Sequence, residues 1–360
     1  MPRLGISLYP DVSKDIKRDK EYIDLAAKYG YTRLFTNLLS VGKEDLEVFR
    51  ELNKYAHDKG FEVILDVAPS VFEENNCSFN DLSFFKELYA DGIRLDEGFN
   101  GQKEAHMTMN PERLKIEVNA SQDTGYIDNI LSYKPYKDNL ITCHNFYPQR
   151  YTALSYELFM KTSKQIKKNN LKVAAFVTSQ VKDAFGPWPV NDGLCTLEMH
   201  RDLPIDLQVR HLYATEVVDD ILVANCYASE EELALMAQIH PGKLTIKIEL
   251  QDEVSEVEKE IIFNYSHFVR GDMSEFMARS TMCRIDYKDA NITPKITPAV
   301  LHRGDVCILN EKYGRYKGEL HIILKDMPNE GNINLVGKVL EKEMIMLEFI
   351  QPWKPFALIK

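Results

Sequence analysis

The sequence predicts an α/β fold, a (β/α)8 TIM barrel followed by a small mostly-β domain, and three observations carry that reading. Eight short apolar runs alternate with helix-length amphipathic stretches over about 240 residues, the usual size of one such barrel. No G-x-G-x-x-G turn follows the first run, which weighs against an open, doubly wound sheet. After Pro241-Gly242 the pattern changes to short strands separated by turns. The boundary is therefore expected there, with the barrel over 1–241 and the β domain over 242–360.

The expected barrel strands are 4–10, 32–39, 62–69, 92–99, 115–121, 140–148, 172–179 and 220–227. The runs are apolar because a parallel strand is covered on both faces. Helices are expected at 14–29, 43–59, 82–90, 126–132, 155–168, 196–215 and 229–239. The last has Ser229 as N-cap and Glu230, Glu231 and Glu232 in its first turn, where the helix dipole favours acids. In the second part, helices are expected at 255–264 and 273–279, and strands at 305–309, 319–324, 334–338 and 344–350. Asn329-Glu330-Gly331-Asn332 reads as a turn. The junction is short and not linker-like, so closely packed domains are expected.

Composition narrows the function. An apolar content of 44% with 10% aromatics is globular. No apolar run nears the roughly 18–20 residues of a membrane span, so no membrane partner is expected. The opening MPRLGISLYPDVSKD lacks a charged-then-apolar leader, which points to a cytoplasmic location. The six cysteines form no C-x-x-C pair and read as buried free thiols. A net charge of −11 argues against nucleic acid, although a few converging cations can still hold an anionic small molecule. The nine histidines form no H-x-H or H-E-x-x-H pair, and neither a metal nor an organic cofactor is expected. A homo-oligomer is left open.

Polar residues that interrupt apolar strands near their C-termini call for an explanation, and in a barrel that rim is where substrate binds. Candidates are Asp66 in the third strand, Arg94, Asp96 and Glu97 in the fourth, and Glu117 and Asn119 in the fifth. His144, Asn145 and Tyr147 end the sixth strand, with Arg150 just beyond, and Asn225 ends the eighth. Glu117 also reads as a structural partner of Arg94 on the neighbouring strand. His144, followed by Asn-Phe-Tyr-Pro, reads as a substrate contact, because a mixed aromatic and polar surface suits a sugar ring. Gly186-Pro187-Trp188-Pro189 is a stiff loop beside the mouth, and Glu198 and Arg201 follow it. A mouth rich in carboxylates and amides suits acid–base work on a carbohydrate or another polar metabolite.

These stretches together resemble the bacterial 6-phospho-N-acetylmuramidase family (MupG type). The matching segments are LGISLYP, IEVNAS, HNFYPQRYTALS and GPWPVNDGLCTLEMHR, then RGDVCILNEKYGRYKGELHIIL and GNINLVGKVL in the second domain. The resemblance implies a barrel followed by a cyclophilin-like β domain. It also implies hydrolysis of the β-1,4 bond of N-acetylmuramic acid 6-phosphate–N-acetylglucosamine, a phosphorylated amino-sugar disaccharide of peptidoglycan recycling. A sugar-phosphate binding or regulatory protein, or an isomerase or lyase acting on a sugar phosphate, is the alternative.

Glycoside hydrolysis needs a protonated carboxyl in a water-poor setting. Asp66, Asp96 and Glu117 are the first candidates, Glu97 comes next, and Glu198 is last because a helix start favours its ionised form. Arg94, Arg150, Lys182 and Arg201 are the expected phosphate partners. Arg315 and Lys317, in a hairpin-like Tyr313–Glu319 segment, are expected to serve the same site from the second domain.

Overall fold

Eight parallel strands close on themselves in chain order. They are β1 (Arg3–Leu8), β2 (Arg33–Asn37), β3 (Glu62–Val67), β4 (Gly92–Leu95), β5 (Lys115–Asn119), β6 (Leu140–Cys143), β7 (Val173–Val177) and β8 (Asp220–Val223). The last pairs back onto the first, with Arg3 opposite Asp220 and Ile6 opposite Val223. The computed structural model describes residues 2–39, 45–75 and 77–360. It divides into two units, Met1–Ile239 and His240–Lys360. In β2, β4, β6, β7 and β8 every residue is buried, as strands covered on both faces must be. All eight expected strands are present, but each ends two to five residues before its expected limit, and the leftover residues form the rim loops.

Among the described residues, ten helices accompany the strands: α1 (Pro10–Ser13), α2 (Ile16–Lys28), α3 (Leu46–Asp58), α4 (Pro69–Glu74), α5 (Ser83–Glu87), α6 (Gln102–Met107), α7 (Tyr126–Ser132), α8 (Tyr156–Lys168), α9 (Ile205–Ala214) and α10 (Glu230–Gln238). The expected helix 43–59 begins on two residues that lie outside the described ones. Asp15, Ser155 and Ser229 cap α2, α8 and α10 by accepting the N–H of the third helical residue. The buried stripe of α2 holds Asp19, Tyr22, Ile23 and Ala26, at the spacing of one helical face. The expected helix 196–215 is broken. Pro204 lacks an N–H, so a 3-10 turn (Glu198–His200) comes first and α9 starts after the proline. α4 and α6 were not anticipated. They are short, and α6 starts from Gly101, whose φ of 86° suits glycine.

The second unit contains β9 (Leu244–Leu250), α11 (Glu256–Asn264), β10 (His267–Phe268), β11 (Met277–Ser280), α12 (Cys283–Asp286), β12 (Val300–Leu301), β13 (Asp305–Leu309), β14 (Leu320–Ile323), β15 (Met327–Pro328), β16 (Ile333–Val339) and β17 (Pro355–Ile359). Seven of these strands form one sheet in the order β10-β17-β9-β16-β13-β14-β11, and β12 pairs with β15. Two expectations fail here. Residues 273–279 contain no helix, because Met277 to Ser280 alternate in burial and pair with β14 as β11. Residues 344–350 contain no strand. A 3-10 helix spans Glu341–Phe349, burying Glu343, Met346 and Leu347 at helical spacing. β9 and β17 were missed, and they are the parallel pair of this sheet.

The barrel interior is not wholly apolar. Arg33, 1% exposed, starts β2 and reaches Glu117 on β5, three strands away. Its Nη1 donates to Asp220 Oδ2 on β8 at 2.5 Å. Asp220 also accepts from Arg3, whose Nη1 reaches Glu62 at 2.6 Å. Burial works against the charge on Arg33, but Glu117 and Asp220 outweigh it and raise its pKa. Removing one member of such a cluster leaves the others buried and uncompensated. Arg33→Met should therefore lower unfolding stability by about 3–5 kcal/mol, read from urea melts. A change under about 1 kcal/mol would show that the cluster contributes little.

Candidate active site

The upper layer of the barrel brings three sequence candidates onto one guanidinium. Asp66, Arg94 and Glu117 are direct neighbours in strand register, so their side chains share the inner face of three adjacent strands. Arg94, 3% exposed, turns toward Asp66 and not toward Glu117. Its Nη1 donates to Asp66 Oδ1 at 2.5 Å and to Asp96 Oδ1 at 3.1 Å. Its Nη2 donates to Asn145 Oδ1. The Asn145 N–H donates to Ser121 Oγ at 2.9 Å, and the Ser121 N–H to Asn119 Oδ1 at 2.8 Å. Asn119 thus serves the turn after β5. The hydroxyl of half-buried Tyr147 is raised in pKa by burial, while Ser121 and the charge of Arg94 oppose the rise, which brings this ring to the same place.

Asp66 has an unusual setting. Burial pushes its carboxyl up to about 7, the Arg94 charge opposes that, and Asp96 adds to it. Beside it, fully buried Tyr9 donates its hydroxyl to the Ala224 carbonyl at 2.6 Å and feels both Asp66 and Asp11. Asp11 was missed in the sequence. It follows Pro10 in α1, just after β1, one of its carboxylate oxygens is buried without a partner, and burial raises its pKa. A carboxylate three residues past the end of β1 was the available signal.

Other candidates hold the rim together. Arg201 Nε and Nη2 each donate to Glu198 at 2.7 Å, and Nη1 donates to the Gly193, Tyr147 and Asp192 carbonyls at 2.8, 3.0 and 3.3 Å. Glu198 also accepts the Tyr151 and Ala153 N–H groups at 2.9 and 3.0 Å. Arg201 above all draws its pKa down to about 2, so Glu198 is a poor proton donor. Arg150 pairs with Asp202 at 2.6 Å. Asn225 clamps Ser179, accepting its N–H at 2.7 Å and donating to its carbonyl at 3.1 Å. Glu232, in the capping box of α10, accepts Ser179 Oγ at 2.6 Å and the Gln180 N–H at 2.8 Å.

Several expectations are corrected. Glu117 is fully buried and bonded to Arg33, not to Arg94, so it belongs to the ion cluster below the rim. His144 cannot touch substrate in this geometry, since it is 0% exposed. Strand alternation turns it outward, where it bonds Ser163 on α8 at 2.9 Å, while Asn145 turns in. Asp96 and Glu97 lie beyond the end of β4, with Asp96 half-buried and Glu97 exposed. Of the expected phosphate partners, Arg94, Arg150 and Arg201 are committed to other residues, and Lys182 is exposed on the loop after β7. In the second unit, Arg315 and Lys317 belong to a 3-10 turn (Glu311–Tyr316) and its cap, not a hairpin. Arg315 donates to the Tyr316 hydroxyl at 2.9 Å and Lys317 to the Ala290 carbonyl at 2.5 Å. Among the described residues, no three His, Cys, Asp or Glu side chains gather to hold a metal ion, and no helix is long and apolar enough to cross a membrane.

Comparison with known proteins matches the chain along almost its whole length. Residues 4–238 match the family model described as 6-phospho-N-acetylmuramidase, N-terminal, and residues 244–359 match its C-terminal counterpart. A crystal structure of an uncharacterized B. cereus protein is 47% identical with a TM-score of 0.93, covering 100% of this chain and 99% of that one. A conserved Enterococcus faecalis protein of unknown function is 25% identical with a TM-score of 0.74, covering 99% of this chain and 96% of that one. No protein of curated function matches.

The histidines behind the rim give it an acid limit. Burial lowers His144 to about 3 and His211 to about 4, and burial with the neighbouring His211, bonded at 2.9 Å, holds His200 well below its ordinary value. All three are neutral in the folded chain at neutral pH. As pH falls below about 6.5, the unfolded chain takes up protons that the folded chain does not, so stability present above that pH is lost toward the folded values. For His144 alone the loss by pH 4.5 should reach about 2–3 kcal/mol. Urea midpoints at pH 7 and 4.5 should therefore differ less in His144→Gln than in the parent chain. Equal differences would mean that His144 titrates normally.

Proposed function

The chain belongs to the 6-phospho-N-acetylmuramidase family, and from that premise we propose that it is a cytoplasmic glycoside hydrolase of peptidoglycan recycling. Its substrate is N-acetylmuramic acid 6-phosphate–N-acetylglucosamine, and the bond cleaved is the β-1,4 linkage. The observation that carries this reading is the Asp66 carboxyl, whose pKa burial lifts to about 7 at the mouth of the barrel. A group poised there is protonated often enough to give its proton to the glycosidic oxygen, and becomes a competent base once it has done so. Arg94 orients Asp66 and holds Asp96 beside it, so a second carboxylate is available within the same site. Asn145 and Tyr147 supply polar and aromatic surface for the sugar.

The spacing bears on stereochemistry. An inverting enzyme separates its two carboxyls by roughly 6.5–9.5 Å to admit a water, whereas retaining enzymes bring them to roughly 5–5.5 Å. Asp66 and Asp96 oxygens at 2.5 and 3.1 Å from the same Nη1 are closer than an inverting pair. Retention follows, with Asp96 acting either as the nucleophile or as the group that steadies the substrate's acetamido carbonyl in that role.

Free N-acetylglucosamine should appear when the chain is incubated with the phosphorylated disaccharide, and should do so in the presence of chelators. Asp66→Asn should lower kcat by at least ~100-fold. In the parent enzyme the alkaline limb of kcat should fall near pH 7 as Asp66 loses its proton. Near-normal turnover by Asp66→Asn would exclude Asp66 as the acid. The first-formed sugar anomer, followed by NMR, should keep the β configuration, and an α product would exclude the retaining scheme.

A further inference from the structure

Among the described residues, the rim holds an arginine, Arg18, none of whose guanidinium donors is committed. Arg94 serves two aspartates and Asn145, Arg201 serves Glu198 and three carbonyls, and Arg150 pairs with Asp202. The backbone N–H of Arg18 donates to the Asp15 cap, but its guanidinium has no hydrogen-bond or ion-pair partner among the described residues. It is nonetheless held in place, because its guanidinium carbon lies over the Tyr227 ring, 4.2 Å from the centroid.

That ring is clamped on several sides. Its hydroxyl donates to Asp19 Oδ1 at 2.8 Å, and Asp19 Oδ2 accepts from Ser13 at 2.9 Å. Tyr22 and Phe185 meet it edge-on, at 5.1 and 5.4 Å between centroids. Phe185, on the loop after β7, exchanges backbone hydrogen bonds of 2.6 and 2.8 Å with Cys226 after β8. Segments that follow β1, β7 and β8 thus converge on Tyr227.

Arg18 sits in the first turn of α2, one turn before Tyr22 on the stripe that faces the barrel. A helix that follows a barrel strand begins at the strand's C-terminal face, so this turn is part of the rim. Phosphate sites in such barrels are often built from the loops after strands seven and eight. An arginine fixed over a clamped ring loses little freedom on binding, and its fork of N–H groups fits a phosphate. Lys182 is exposed on the same loop after β7.

We propose that Arg18, seated over Tyr227, receives the 6-phosphate of the substrate and so sets the preference for phosphorylated sugar. This rests on the family reading given above. The test uses the full chain, its Arg18→Met and Arg18→Lys variants, and the disaccharide with and without the 6-phosphate. The ratio of the two kcat/KM values should fall roughly 10- to 100-fold in Arg18→Met, mainly through KM for the phosphorylated substrate. Inorganic phosphate should inhibit the parent competitively and the variant more weakly by a similar factor. Arg18→Lys should recover only part of the preference, because it keeps the charge and loses the fork. If Arg18→Met does not fold, the Arg18→Lys ratio decides, and an undiminished ratio there overturns the proposal. A preference that survives Arg18→Met in a normally melting protein removes Arg18 from phosphate recognition and leaves the family reading intact. A parent enzyme that turns over both disaccharides equally removes both.

Discussion

The buried contact between Arg33 and Glu117 governs what lies above it. Arg94 stands in register between Asp66 on one side and Glu117 on the other, and could pair with either. Because Arg33 crosses the barrel to take Glu117, and Asp220 completes that cluster, Arg94 is left to Asp66. A low-dielectric interior makes this choice strict, since any carboxylate without a cation there is costly. The lower half of the barrel is closed by paired charges, with only Arg33 Nε and Glu117 Oε1 left without partners in that pair. The upper half faces the rim with a carboxyl whose proton is loosely committed.

Carboxylates in this barrel show how position decides chemistry. Glu198, half-buried, receives two N–H groups and a bidentate arginine, and is fixed as an anion. Asp66 has an arginine as well, but its burial outweighs it. Asp19 is buried too, yet Tyr227 and Ser13 both donate to it, which makes it a support for the ring and not a reagent. The same functional group is an anchor, an acid or a strut according to what surrounds it.

Much of this was legible in the sequence. Polar residues inside apolar runs marked Asp66, Arg94 and Asn145, and the count of alternating segments gave the closed barrel. Partner choice was not legible, because Glu117 finds Arg33 across the barrel, a relation fixed by strand stagger and not by any local pattern. His144 was misjudged although alternation from Asn145 could have turned it outward. The second unit was harder to read. Met277 to Ser280 is a strand because β14 pairs with it, and a neighbour of that kind leaves no mark on the segment itself. Arg18 escaped notice since a cation in the first turn of a helix looks like solvated surface until the ring beneath it is seen.

Arg201 links the loops after β6 and β7 through one guanidinium, with bonds to Tyr147, Asp192, Gly193 and Glu198, while Glu198 returns to Tyr151 and Ala153. Backbone bonds such as Tyr147 N–H to the Cys195 carbonyl and Asp192 N–H to the Pro148 carbonyl add to this node, so the two segments cannot open independently. Segments joined in this way are expected to open as one cooperative unit, their amides exchanging at a common free energy. The entropy of ordering this part of the rim is therefore met when the chain folds, and substrate arrives at a wall already assembled.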